Sequence, residues 1–159
     1  MTLYTNSGNG FEVATPEMIC DAAREIAAKS LLASGPAIES PRAARQFLVL
    51  HFAGLDHEVF SVIYLDNRHR VVAAEALFRG TIDGCSVHPR EVVKAALKHN
   101  SAAVILAHNH PSGNTEPSQA DELITARLRE ALALVDIRIL DHVIVGGTNI
   151  LSFAERGLL

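Results

Sequence analysis

Four side chains in this 159-residue sequence have the types and spacing to do chemistry together: His108, His110, Ser118 and Asp121. The histidines lie two apart in His108-Asn109-His110-Pro111-Ser112-Gly113, directly after the apolar run 102–107, which reads as a buried strand. On an extended chain, residues two apart point to the same side. Two imidazole nitrogens held that way can close on one metal ion, and a carboxylate from the next helix can complete three ligands. Three protein ligands with an open fourth position is the arrangement of catalytic zinc. Each piece also has a plainer reading. A His-x-His pair at a strand end, taken alone, is more often surface or hydrogen-bonded histidine. Ser118 and Asp121, after Pro117, form a helix N-terminus signal in which the hydroxyl caps and the acid complements the helix dipole. The two readings coexist, because Asp121 has two carboxylate oxygens.

The joint pattern is His-x-His, seven residues, Ser, two residues, Asp. It resembles the JAMM signature of the JAB/MPN metalloprotease-like domains. With Asn109 between the histidines and Pro111-Ser112-Gly113 after them, the chain is similar to the RadC-like branch of that group. The resemblance spans about residues 55–153 and takes in Gly80-Thr81, Val87-His88-Pro89-Arg90-Glu91 and Asp141-His142. It implies an α/β fold of MPN/JAB-like (cytidine-deaminase-like) type, a mixed β-sheet flanked by helices. It further implies a Zn2+-dependent hydrolase of metallopeptidase or isopeptidase type acting on a peptide or protein substrate. His108, His110 and Asp121 would be its metal ligands. A metal so held acidifies its remaining water, and the family places a proton-accepting glutamate at the start of an upstream strand. Glu58 occupies that position; Glu75 is the rival, late in the following strand. Ser118 would donate a hydrogen bond to the water or to the developing oxyanion.

Two other functional classes compete. The RadC-like group is associated with DNA repair, so a DNA-associated role is one alternative. A formal net charge of −4, 5% aromatic residues and the lack of a helix-hairpin-helix pattern before residue 55 speak against it. A non-catalytic MPN scaffold is the other; that all the family positions are filled speaks against that.

The elements that must position these residues are also legible. Hydrophobic residues make up 48% of the chain and charged residues 20%, which fits a globular core and excludes a disordered chain. Cys20 and Cys85 form no disulfide framework and no cysteine zinc site, so a reducing cytoplasm is expected. No apolar run approaches a membrane span, and the polar N-terminus does not read as a signal peptide.

Residues 1–14 are expected to be frayed or tied down only by a partner. Thr15-Pro16-Glu17 opens a helix with an apolar stripe at Ile19, Ala22, Ala23, Ile26 and Ala27, stopped by Gly35-Pro36. Ser40-Pro41 opens a second, burying Ala44, Phe47, Leu48 and Phe52 and ending at Gly54. These helices form an N-terminal helical extension (1–54) that either docks on the catalytic domain (55–159) or mediates homo-oligomers. Strands are expected at 58–66 and 71–78, joined by an Asp66-Asn67 turn into a hairpin, then at 102–107 and 137–145, with a short one at 150–153. Gly80 and Gly84 bracket the connection to a helix from Pro89, with Val92, Val93, Ala96 and Leu97 inward. Another runs from Ser118 to about Ala133, with Leu123, Ile124, Leu128 and Leu132 inward. His142 reads as a core group or a support for a ligand, His88 as a helix cap or cleft residue. His51, His57, His69 and His99 read as surface residues, and Arg90 as an anion contact or a salt-bridge partner.

Overall fold

The computed structural model of the chain describes residues 2–6, 11–33, 41–80 and 86–159. The expected Gly35-Pro36 stop, the Ser40 signal, Thr81, Gly84 and Cys85 lie outside them, as does the side chain of Ala27.

The N-terminus departs from the expected frayed segment. Tyr4–Asn6 (β1) pairs antiparallel with Phe11–Val13 (β2). Phe, Val and Tyr favour an extended backbone, and a hairpin closes over a short sequence distance. The helix α1 (Pro16–Ala33) begins where expected, with Thr15 Oγ1 accepting from Met18 N–H at 3.3 Å. Its apolar stripe is largely exposed: Ile26 is 68% exposed and Ile19 38%. The helix instead leans inward through Cys20 and Arg24, where the guanidinium donates to the Ala53 carbonyl. A methyl on Gly54 would meet Cys20 Sγ at 3.3 Å. Helix α2 (Pro41–Phe52) buries Ala44, Phe47, Leu48 and Phe52, and Gly54, at φ +73°, ends it in the left-handed conformation glycine tolerates.

The main sheet comprises β3 (Val59–Leu65), β4 (Val71–Arg79), β5 (Ala103–Asn109), β6 (Arg138–Gly146) and β7 (Asn149–Ser152), in the order β4-β3-β5-β6-β7. Only β5 and β6 run parallel; the other pairs are antiparallel, so the sheet is mixed as expected. The β3–β4 turn is set by Asp66, whose Oδ1 accepts from Arg68 N–H and Arg70 N–H at 2.8 and 3.0 Å. All seven residues of β3 and all seven of β5 are buried, because both strands are covered on both faces. On one face α2 packs over Val59, Ile63, Ile105 and Val143. On the other, α3 (Pro89–Lys98) and α4 (Gln119–Ala133) pack over Phe60, Val62, Val104 and Leu106. A short helix α5 (Phe153–Arg156) follows β7.

Two departures bear on the site. Strand β5 extends to Asn109 rather than ending at Ala107, which carries His108 into the core. Helix α4 leaves Leu123 58% exposed and buries Thr125 in its place. Ile124, Leu128 and Leu132 face inward as expected, and the inward side also takes in Asp121 and Thr125, which hydrophobicity alone does not mark. Among the described residues no helix is long and apolar enough to cross a membrane.

Candidate metal centre

Alternation along β5 sends His108 to the α4 face with Val104 and Leu106. There its ring stacks on Phe60 at 6.1 Å and is wholly buried. His110 lies one step beyond the strand. Its N–H donates to Val145 O at 2.9 Å, which continues the β5–β6 pairing before the chain turns. The turn closes through Gly113 N–H to His110 O at 3.0 Å, with Gly113 at φ +81°. It packs so tightly on the end of β6 that a methyl on Gly146 would lie 2.4 Å from Gly113 O. The chain then enters α4 through a capping box. Ser118 Oγ accepts from Asp121 N–H at 3.2 Å, and an Asp121 oxygen accepts from Ser118 N–H at 2.8 Å.

The loop and the helix start bring three ligand atoms together. His108 Nε2 and His110 Nε2 are 3.0 Å apart, and Asp121 lies 3.2 Å from the first and 3.7 Å from the second. All three offered atoms fall within 4.8 Å of one another. Ligand nitrogens at zinc–nitrogen distances of about 2.0–2.1 Å in a tetrahedron would sit about 3.3 Å apart, so the spacing suits a metal.

The surrounding hydrogen bonds say what the site can accept. Thr125 has one hydroxyl hydrogen and gives it to the Asp121 carbonyl at 2.6 Å, so its oxygen accepts from His142 Nδ1–H, also at 2.6 Å. Burial, then the charge of His108, pushes the His142 pKa well down, so that ring is neutral. Its Nε2 can then only accept, and it takes Nδ1–H of His108 at 2.9 Å. His110 gives its Nδ1–H to the Asn114 carbonyl at 2.6 Å. In the form with His108 and His110 both neutral, each ring has one N–H, and each has committed it. Two Nε2 lone pairs and a carboxylate therefore face one another, an arrangement that asks for a cation between them. Without a cation a proton on His108 can serve instead: burial works to raise the Asp121 pKa, but the hydrogen bond and charge of a protonated His108, and then the Ser118 hydroxyl and N–H, outweigh it. The carboxyl ends well below the usual range.

The remaining expected residues are placed as follows. Glu58 sits just before β3, half-buried. Burial raises its pKa; His108 and His110 oppose that and Asp121 adds to it, so its carboxyl lies within the field of the cluster. The rival Glu75 is elsewhere, accepting from His99 Nε2 at 2.8 Å beside the end of α3. Ser118 gives its hydroxyl hydrogen to Asp121 Oδ2 at 2.6 Å, so here it orients a ligand and caps α4. His51 and His99 are not the surface residues expected: His51 Nε2 lies 2.9 Å from Ser61 Oγ against Phe47 and Phe52. His88 stands at the N-cap of α3 without a side-chain capping bond, edge-on to Phe78. Arg90 lies 3.7 Å from Glu91, the salt-bridge reading.

Thr125 was not singled out from the sequence, and Gly146 reads there only as part of the Gly146-Gly147 end of a strand. Thr125 carried a signal, being one helical turn after Asp121. Gly146 and the His142–His108 bond depend on the β5–β6 register, which pairs Leu106 with His142.

Comparison with known proteins agrees with this geometry. The family model described as "RadC-like JAB domain" matches residues 38–158. A "UPF0758 protein" of Nitrosococcus oceani is 66% identical over 128 residues, covering 80% of this chain and 57% of that protein. The "UPF0758 protein YeeS" of Escherichia coli is 61% identical over 125 residues, 79% of this chain and 84% of that one. The chain thus spans little more than half the length of some of the curated relatives it matches. With the mixed sheet, the histidine loop and the family match together, the chain belongs to the RadC-like JAB domain family.

Proposed function

We propose that this domain is a zinc-dependent hydrolase of peptide or isopeptide bonds, with His108, His110 and Asp121 holding the metal. The observation that carries the reading is the meeting of two Nε2 atoms 3.0 Å apart with a carboxylate beside them, while both Nδ1 atoms have partners elsewhere. Zinc, when bound there, would supply an acidified water as nucleophile and polarise the attacked carbonyl.

The chain's own residues do the rest. Glu58, its pKa raised by burial, accepts a proton from the attacking water and returns it to the departing amine nitrogen, which cannot leave as an anion. Asp121 stays ionised and, with its carboxylate bonded by the Ser118 N–H, keeps one fixed orientation. The Ser118 hydroxyl turns from Asp121 to the oxyanion as charge develops there. His142 and Thr125 keep the His108 lone pair aimed at the centre.

The test is elemental analysis of the purified protein with added zinc, followed by turnover on a library of fluorogenic peptides and isopeptides. One zinc per chain, lost in His108→Ala, and turnover reduced by about 10²–10⁴-fold in a zinc-replete Glu58→Gln are expected. Zinc at full occupancy with no turnover of any member points instead to a scaffold. Binding to DNA that weakens steeply with salt would favour the DNA-associated reading.

A further inference from the structure

We propose that Asn109 is a positioning residue that holds Glu58 at the metal centre. The inference rests on the reading of Glu58 as the proton-transfer group. The β3–β5 ladder ends at Phe60 opposite His108. One step further, where Val59 would face Asn109, a side chain takes over the pairing. Asn109 Oδ1 accepts from Val59 N–H at 2.8 Å, and Asn109 Nδ2 donates to His57 O at 2.9 Å. One planar amide thus grips the backbone on both sides of Glu58. From the opposite flank, Gly80 N–H donates to Glu58 O at 2.8 Å.

Three bonds leave that residue little backbone freedom. Val59 packs toward α2 and Phe60 toward α3 and α4, so strand alternation sends Glu58 to the side of Phe60 and His108. Asn109 is only 4% exposed, so water is not at hand to replace either bond. An amide alone offers both a donor and an acceptor at this reach. Aspartate lacks the donor, serine lacks the span, and leucine has neither. Because Asn109 also lies between the two histidines in sequence, the same three residues set both the ligands and the base.

The experiment compares the full chain with Asn109→Leu and Asn109→Asp. It reads zinc per chain, exchange of the Val59 amide, and the carboxyl NMR signal of ¹³C-labelled Glu58 before and after zinc addition. In the wild type, that signal shifts when zinc binds. In Asn109→Leu, zinc is still bound, Val59 exchanges about tenfold faster, and the Glu58 signal loses its response. Asn109→Asp falls between, and it serves alone if the leucine variant does not fold. On any peptide that is turned over, kcat falls by about 10–100-fold with little change in KM, and Glu58→Gln masks the effect.

An unaltered Glu58 response in the variants overturns the proposal, as does a wild-type Glu58 that ignores zinc. Loss of zinc from both variants also overturns it, since Asn109 would then be holding the ligands. If the wild type cleaves nothing but its Glu58 response depends on Asn109, the positioning stands and only the hydrolase reading falls.

Discussion

His142 Nε2 lies 2.9 Å from His108 Nδ1, with both rings fully buried. That bond and the Thr125 hydroxyl behind it leave His108 a single lone pair, the one facing Asp121 and His110. Metal-ligating histidines commonly use such a partner to fix tautomer and ring orientation. His142→Phe keeps the aromatic contacts with Phe60 and Phe153 but removes the acceptor. Zinc affinity is expected to fall by about 10–100-fold in a competition titration against a chromophoric chelator. Unchanged affinity in a folded variant would remove His142 from the site.

On the proposed reading Asp121 does two jobs, capping α4 and binding metal, and substitution separates them. Asp121→Asn keeps an oxygen able to accept from Ser118 N–H, the capping bond seen at 2.8 Å, while the anionic ligand is lost. Thermal stability without metal should change by about 1 kcal/mol or less, and stoichiometric zinc binding should disappear. Large destabilisation with zinc retained would mean the residue is a cap and no more.

Gly146 is needed for space rather than for its dihedral angles. A methyl there would stand 2.4 Å from Gly113 O and 2.7 Å from Gly113 C, both backbone atoms. Gly146→Ala is expected to destabilise by about 1–3 kcal/mol or to push the His110 turn away from β6. The second outcome shows as weakened zinc binding in a protein whose melting is nearly normal. An alanine variant with wild-type stability and affinity would contradict the packing described.

The zinc-free protein should lose stability on mild acidification, in part through His51. Burial, followed by the nearby Arg24 charge, lowers the His51 pKa. The unfolded chain, with an ordinary histidine pKa of about 6.5, takes up the proton first. Stability is thus fully present above about pH 6.5 and declines as pH falls from there toward the folded pKa. The wild type should melt at lower temperature at pH 5.5 than at pH 7.5, and His51→Gln should flatten that difference. Equal slopes in the two proteins would assign the pH dependence to other groups.

Local physics made much of this legible. The hairpin turn at Asp66, the caps at Thr15 and Ser118 and the buried side of α2 each depend on residues within a few positions of one another. Leu123 was misread, and the side to which the α1 stripe turns was not legible, for a related reason. Periodicity shows that a helix has an apolar side but not which neighbour meets it.

For the site, the sequence alone singled out His108, His110 and Asp121 as candidate ligands, through the strand period, the helix cap and the family resemblance taken together. It also named Glu58, by resemblance. Tertiary structure alone decided what surrounds them. Sheet register sets His142 behind His108, the ladder's end lets Asn109 clasp residues 57 and 59, and close contact of two backbones demands Gly146. Those relationships join positions about 30 to 50 residues apart through hydrogen bonds whose partners are chosen by strand order, a global property that no short window of residues contains.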